Sequence, residues 1–211
     1  MASYGVEDFV RDYDVSRETC ARLEQFAELL KHWNRRVNLV SKDSLNNVWR
    51  RHMADSAQLR DVIPAYDGAL IDAGSGAGFP GMVLSILGLA DIHLIEANAK
   101  KCTFLRETAR ITGSPATIHN LRLGDSTASL AALPKAAIVT ARAVSPLAKL
   151  LDIVFPLVYN QTYCIFSKGI QADDELKVAR QSWQFEVQQI ASKVEPGGVI
   201  LKINNIRRHG S

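Results

Sequence analysis

The stretch Asp72-Ala-Gly-Ser-Gly-Ala-Gly-Phe-Pro-Gly81 constrains this chain more than any other. Gly74, Gly76 and Gly78 permit positive φ and a close approach of ligand to backbone, and Pro80 suits the first turn of a helix. The residues before them, 69–72, form a short apolar run ending in an acid, which reads as a strand. Strand, glycine turn and helix N-terminus together make the layout of a nucleotide-type site at the carboxyl edge of a parallel sheet. The glycine spacing narrows the ligand. A dinucleotide fingerprint requires G-x-G-x-x-G, and counted from Gly74 its last position is Phe79. A P-loop is excluded because no Gly-Lys-Ser/Thr follows.

The pattern around this turn supports an α/β fold. Strands are expected at 69–72, 92–96, 116–118, 136–141 and 163–167, separated by helices near 80–88, 99–112, 126–133 and 146–158. After a polar helix near 173–180, two further strands at 185–194 and 199–206 are joined by Pro196-Gly-Gly198, a turn short enough only for an antiparallel hairpin. Ahead of the sheet, Ser16 is a candidate cap for a helix carrying Cys20, Leu23, Phe26, Ala27, Leu30 and Trp33 on one face and ending near Asn34. Asp43 or Ser44 is expected to cap a second helix with Leu45, Val48, Trp49, Met53 and Leu59. Pro64, Asp67 and Gly68 then mark a boundary, giving a helical segment 1–66 and a catalytic-type domain 67–211.

A mostly parallel seven-stranded sheet closed by an antiparallel hairpin is the arrangement of class I S-adenosylmethionine-dependent methyltransferases, a Rossmann-like fold. The G-x-G-x-G turn after an acidic strand end suits it, because backbone amides and the Asp72 carboxylate can receive the amino-acid part of that cofactor. Glu96 ends the second strand about 20 residues beyond the turn, where an acid can accept from both ribose hydroxyls. Leu123, Gly124 and Asp125 follow the third strand, where such folds contact adenine. Arg142 ends the fourth and faces the same edge, so it can meet cofactor or substrate base.

Composition bounds the rest. With 211 residues, 47% hydrophobic and 22% charged, the chain is long enough for one sizeable core and too short for two full domains. No apolar run reaches the ~20 residues that cross a bilayer, and no charged-then-apolar leader opens the sequence, so a cytoplasmic protein is expected. Cys20, Cys102 and Cys164 are widely spaced and suggest neither disulfides nor a metal site. The net charge of +3 is modest, but Lys31, Arg35, Arg36, Lys42, Arg50, Arg51 and His52 crowd one stretch with Asp43 as the only acid among them, and Arg207, Arg208 and His209 lie near the end. Such clustering suits phosphate binding as well as a solvated face.

Over nearly its whole length the chain resembles the small-subunit ribosomal RNA methyltransferase G family, also called glucose-inhibited division protein B. The matching pieces are Trp33-Asn34 with Asn38-Leu39, Arg51-His52 with Asp55-Ser56, Asp72 to Gly81, Lys100-Lys101 with Phe104-Leu105, Arg122, Thr140-Ala-Arg-Ala143 and Lys168-Gly169. The resemblance implies methyl transfer from S-adenosylmethionine to N7 of one guanine in 16S rRNA, leaving S-adenosylhomocysteine. The partner it implies is 16S rRNA or the small ribosomal subunit, met by a monomer without metal or membrane. It makes Gly74, Phe79, Leu123, Gly124 and Arg142 cofactor contacts, and Asn38, His52, Arg122 and Arg142 the polar residues on the RNA side. The sequence departs from the family at Gly124, where an acid is usual and Asp125 alone remains, and at Pro196-Gly-Gly-Val199, where many relatives place Arg-His.

The residues suit that chemistry. Guanine N7 carries an in-plane lone pair and no proton, so transfer needs positioning and electrostatic support and no general base. Methylases of exocyclic amines carry an Asp/Asn-Pro-Pro-aromatic element after the fourth strand, where this chain has Arg142-Ala-Val-Ser-Pro146. Pyrimidine C5 methylases need a cysteine nucleophile, and neither Cys102, in a helix, nor Cys164, inside a strand, is well placed for it. Other readings stay open on the residues: an S-adenosylmethionine-responsive RNA-binding protein without activity, a nicotinamide oxidoreductase, and a protein methyltransferase.

Overall fold

In the computed structural model, which describes residues 4–124 and 133–210, every residue of β1 (Ala69–Ala73) is buried. That is the mark of a strand covered by helices on both faces. Its neighbours follow from the short apolar runs: β2 (Ile92–Glu96), β3 (Thr117–Asn120), β4 (Ala136–Arg142) and β5 (Tyr163–Lys168) are all parallel, while β6 (Trp183–Ala191) and β7 (Val199–Arg208) run antiparallel. The order is β3-β2-β1-β4-β5-β7-β6, the class I methyltransferase arrangement expected from the sequence. The chain winds outward in both directions from the β1–β4 pair, which places a crevice at their carboxyl ends.

Alternate β1 residues feed two cores. Leu70 joins Phe26, Leu30, Met82, Phe104 and Leu105, contributed by α2 (Arg17–Asn34), α5 (Gly81–Ile86) and α6 (Ala99–Thr112). Ile71 joins Leu150, Leu151, Leu176 and Trp183 beneath α7 (Leu147–Val154) and α8 (Ala172–Ala179). Cys102 and Cys164 are buried fillers and Cys20 is half-buried. Asp125 and most of the helix expected over 126–133 lie outside the described residues.

Ser16 caps α2, accepting from Thr19 N at 3.1 Å. Three features of the N-terminal segment differ from expectation. An additional helix, α1 (Val6–Tyr13), packs Phe9 fully into the first core. The second cap is Ser41, whose hydroxyl accepts from Ser44 N at 3.2 Å; Asp43 and Ser44 sit inside α3 (Lys42–Asn46). The helix it opens does not run on to Leu59. It stops at Asn47, then resumes as a π-helical turn over Trp49–Ala54, α4 (Asp55–Ala57) and a 3₁₀ turn at Gln58–Asp61. Wide turns of this kind tend to mark functional positions, and this one carries Arg51 and His52.

The hairpin loop spans 192–198, with the tight turn confined to Glu195 and Gly198, whose N–H donates to Glu195 O at 2.9 Å. β7 starts beside Lys168 at the carboxyl edge and ends, after pairing Arg208 with Trp183, at the opposite edge. Arg207 and Arg208 therefore lie far from the crevice, and Arg208 is paired with Asp152 at 3.1 Å.

Candidate active site

Gly74, Gly76 and Gly78 adopt φ of +71°, +57° and +91°, as the motif requires. A side chain is disfavoured at both ends of the turn by positive φ and by tight contacts: a Cβ at Gly78 would lie 3.0 Å from Leu105 and Met82, and one at Gly74 would lie 3.0 Å from Val144 Cγ2. The loop is tied to the ends of two strands. Ser75 N donates to Ile95 O at 2.9 Å, and Gly76 N to Glu96 Oε2 at 2.9 Å. Glu96 Oε1 accepts from Asn98 N at 2.7 Å, so this acid both closes the loop and caps the entry to α6. A carboxylate offers about four acceptor positions, and two are left.

Asp72 is oriented by its burial. One oxygen accepts from Thr140 Oγ1 at 2.9 Å and the other from Gly81 N at 3.2 Å. The group is 1% exposed, and burial pushes its pKa up against the opposing effect of these hydrogen bonds. Its carboxylate thus holds the loop to the start of α5. Gly81 is required by the same contact, because a Cβ there would stand 2.7 Å from that of Asp72.

The Phe79 ring is buried in the first core. Phe26 stacks on it at 5.1 Å, His52 at 4.6 Å and 15°, and the Arg142 guanidinium lies 5.0 Å from its centroid. Arg142 in turn donates to Arg51 O and Asp55 Oδ2, both at 3.0 Å, and contacts His52 Nδ1 at 2.9 Å. The His52 pKa is pushed down to about 3, first by burial and then by the Arg142 and Arg51 charges, so the imidazole is neutral.

Beside this stack, above the carboxyl ends of β4 and β5, a cavity of about 640 Å³ opens. Its floor is Arg142 to Pro146 with Ser167 and Lys168. One wall is the π-helical turn and the other the hairpin loop. Long-range bonds join the walls: Lys193 N donates to Gln58 Oε1 at 2.9 Å, Arg50 to Val194 O at 3.1 Å, and Arg51 pairs with Glu195. Each of the three cations lining the cavity faces a carboxylate: Arg142 with Asp55, Arg51 with Glu195, and Lys168 with Glu175 at 2.8 Å. Gln58, Glu175 and Glu195 carry no sequence signal of a site and are revealed by their pairing across the fold, whereas Asp55 stands in the Arg51-His52 with Asp55-Ser56 piece and takes its place in the site through Arg142.

The remaining expected residues are placed differently. Leu123 is half-buried and Gly124 exposed, with φ +94°, on the turn after β3, held near Glu96 by Asn120 Nδ2 donating to Glu96 O at 3.1 Å. Arg122 is exposed on the same segment. Asn38 is exposed and does not line the cavity; Asn34 organises that loop, accepting from Leu39 N and Val40 N at 2.9 and 3.0 Å. The basic cluster is divided: Lys31 pairs with Glu28 at 2.6 Å, while Arg36 lines a separate groove of about 460 Å³ with Trp33, Lys100 and Thr103. Among the described residues no helix is long and apolar enough to cross a membrane, and no cluster of metal-ligating side chains is found.

Comparison with known proteins returns a family model described as rRNA small subunit methyltransferase G, matching residues 19–200. A relative from Rhodospirillum centenum named ribosomal RNA small subunit methyltransferase G is 44% identical over 208 residues, covering 99% of this chain and 94% of the relative. One of the same name from Rhodospirillum rubrum is 46% identical over 202 residues, covering 96% and 98%. Solved structures share the fold. A mutant of MtNAS in complex with S-adenosylmethionine superposes with a TM-score of 0.58 at 11% identity over 95% of this chain and 83% of that one. The glycopeptide N-methyltransferase MtfA does so with 0.56 at 10% identity over 78% and 98%.

Proposed function

The chain belongs to the rRNA small subunit methyltransferase G family, and from that premise we propose that its cavity receives one guanine of 16S rRNA for methylation at N7 while the glycine turn and Glu96 hold S-adenosylmethionine beside it. The observation that carries this reading is the position of Val144. Its side chain lies 3.0 Å from where a Cβ on Gly74 would stand, and it also lines the cavity, so the thickness of one side chain separates the two cradles.

The residues present fit the cofactor. A Cβ at Gly76 would meet only Gly74 O, at 3.9 Å, which leaves the backbone there open to the amino-acid part, and Glu96 keeps two acceptor positions for ribose hydroxyls. Asp72 supports the loop from beneath. Leu123, Gly124 and Asp125 are proposed to border adenine. When bound, the cofactor supplies an electrophilic methyl on a sulfonium.

The chain's own part is positioning and charge. N7 has no proton to lose, so no base is called for, and His52 is neutral. A guanine methylated at N7 gains positive charge. The paired cations around the cavity leave little net charge to oppose it, while Arg142 keeps a fixed set of donors. Asn38, Arg122 and residues 1–66 are proposed to contact RNA around the target, in a monomeric cytoplasmic enzyme that releases S-adenosylhomocysteine.

The test is to incubate the protein with methyl-labelled cofactor and small subunits lacking the modification, then map the label. Label on N7 of one 16S guanine is expected. Binding of both cofactor and small subunits without any transfer would instead point to a silent RNA-binding protein.

A further inference from the structure

We infer that Glu175 is a positioning residue for methyl transfer, acting through Lys168 and the backbone of Leu147 to hold the segment between cofactor loop and cavity. The inference rests on the proposed reading of the two cradles. One oxygen, Glu175 Oε2, accepts from Leu147 N at 2.7 Å and from Lys168 Nζ at 2.8 Å. Lys168 Nζ donates again to Ser145 O at 2.7 Å. The segment after β4 is therefore clasped at Ser145 and Leu147 by two side chains from later elements, one at the end of β5 and one on α8. Both are well shielded, with side chains 9% exposed for Lys168 and 23% for Glu175.

What the clasp holds is not a relaxed turn. Ala143 sits at φ +53°, in the left-handed region that an L residue with a Cβ adopts only when its surroundings impose it. It lies between Arg142, which anchors His52, and Val144, which meets the glycine loop. Releasing the clasp should let Ala143 relax and shift Val144 and Arg142 together, changing the spacing between methyl donor and acceptor. Displacements of about 1 Å at this spacing can cost up to about a hundredfold in rate. Cofactor affinity depends less on it, because the glycine loop is held separately by Glu96 and Asp72.

The experiment is a double-mutant cycle on single-turnover methylation of small subunits at saturating cofactor and RNA. Glu175→Gln keeps the side chain's shape and an acceptor for Leu147 N but removes the charge facing Lys168. We expect about a tenfold loss of rate with cofactor Kd within about twofold of wild type. In an Ala143→Gly background, where positive φ carries no penalty, the same substitution should cost about threefold or less. A rate within twofold of wild type for Glu175→Gln, or an equal loss in both backgrounds, overturns the inference. Should Glu175→Gln not fold, Lys168→Gln breaks the same pair and is read by the same two criteria. Absence of transfer by the wild-type protein would instead mark failure of the underlying reading.

Discussion

Arg142 Nη2 lies 2.9 Å from Nδ1 of His52. A guanidinium can only donate, so Nδ1 accepts and the neutral ring carries its proton on Nε2. That nitrogen is buried and has no partner among the described residues. The contact that orients the imidazole also removes it from service as a base.

It follows that single-turnover methylation at saturating substrate should be nearly flat between about pH 6 and 8, because His52 titrates near 3 in the folded chain. The folded value lies below the ordinary 6.5, so the stability that neutral His52 contributes is fully present above 6.5 and is lost as pH falls toward 3. Its slope is at most about 1.4 kcal/mol per pH unit for one proton. Denaturant titrations of wild type and His52→Gln at several pH values measure it. A sigmoidal loss of methylation below pH 7 that vanishes in His52→Gln would show that the ring does take a proton.

Replacing Glu96 should weaken cofactor binding by about 10–100-fold for Glu96→Ala, since hydrogen bonds to a charged acceptor are worth about 1.5–3 kcal/mol. Glu96→Gln should fare little better. Both carboxylate oxygens accept from backbone N–H groups, so an amide nitrogen on either side confronts a donor. Calorimetry on folded variants decides it, and affinity preserved in Glu96→Gln would mean that the ribose is held elsewhere.

Gly81→Ala tests the support beneath the loop. Its Cβ would stand 2.7 Å from that of Asp72 and 2.8 Å from Oδ2, inside a close-packed core. A loss of about 1–3 kcal/mol is expected, seen as a fall of several degrees in Tm. An unchanged Tm would mean that the strand end and helix start can separate freely.

The divided basic cluster predicts which charges meet phosphate. Arg36 and Lys100 face one groove, whereas Lys31 is engaged by Glu28. Replacing Arg36 and Lys100 with Gln should flatten the salt dependence of RNA binding by about 0.7 per lost single-strand contact, and leave cofactor affinity unchanged. A wild-type slope in this pair, with a reduced one in Lys31→Gln/Arg35→Gln, would move the phosphate site to the other helix face.

Local patterns made much of the architecture legible. The strand at 92–96 and the helix at 99–112 have the bounds expected of them, since each is a clean apolar period between strong breakers. The positive φ of the three glycines followed from spacing alone. The cap before α3 is ambiguous in the sequence because Ser41, Asp43 and Ser44 compete within four residues, and α1 leaves a weak trace because only Phe9 on its face is fully buried. The walls of the cavity were beyond reach for a different reason. Arg142 and Asp55 are 87 residues apart and Arg51 and Glu195 144, so their pairing is a product of topology and leaves no periodic trace.

The continuous stack from Phe26 of α2 through Phe79 to His52 bears on how such a protein can change over time. Phe26 is wholly buried in the same core as Met82, Phe104 and Leu105, so the N-terminal helices are part of the wall against which the glycine loop is set. A module that could be traded between proteins would need a seam, and among the described residues the rings of Phe26, Phe79 and His52 pack across the boundary expected near residue 66. A segment that replaced residues 1–66 would remove Phe26 and His52 together and leave Phe79 without either stacking partner, so change in this part of the fold is confined to substitutions that keep both rings in place.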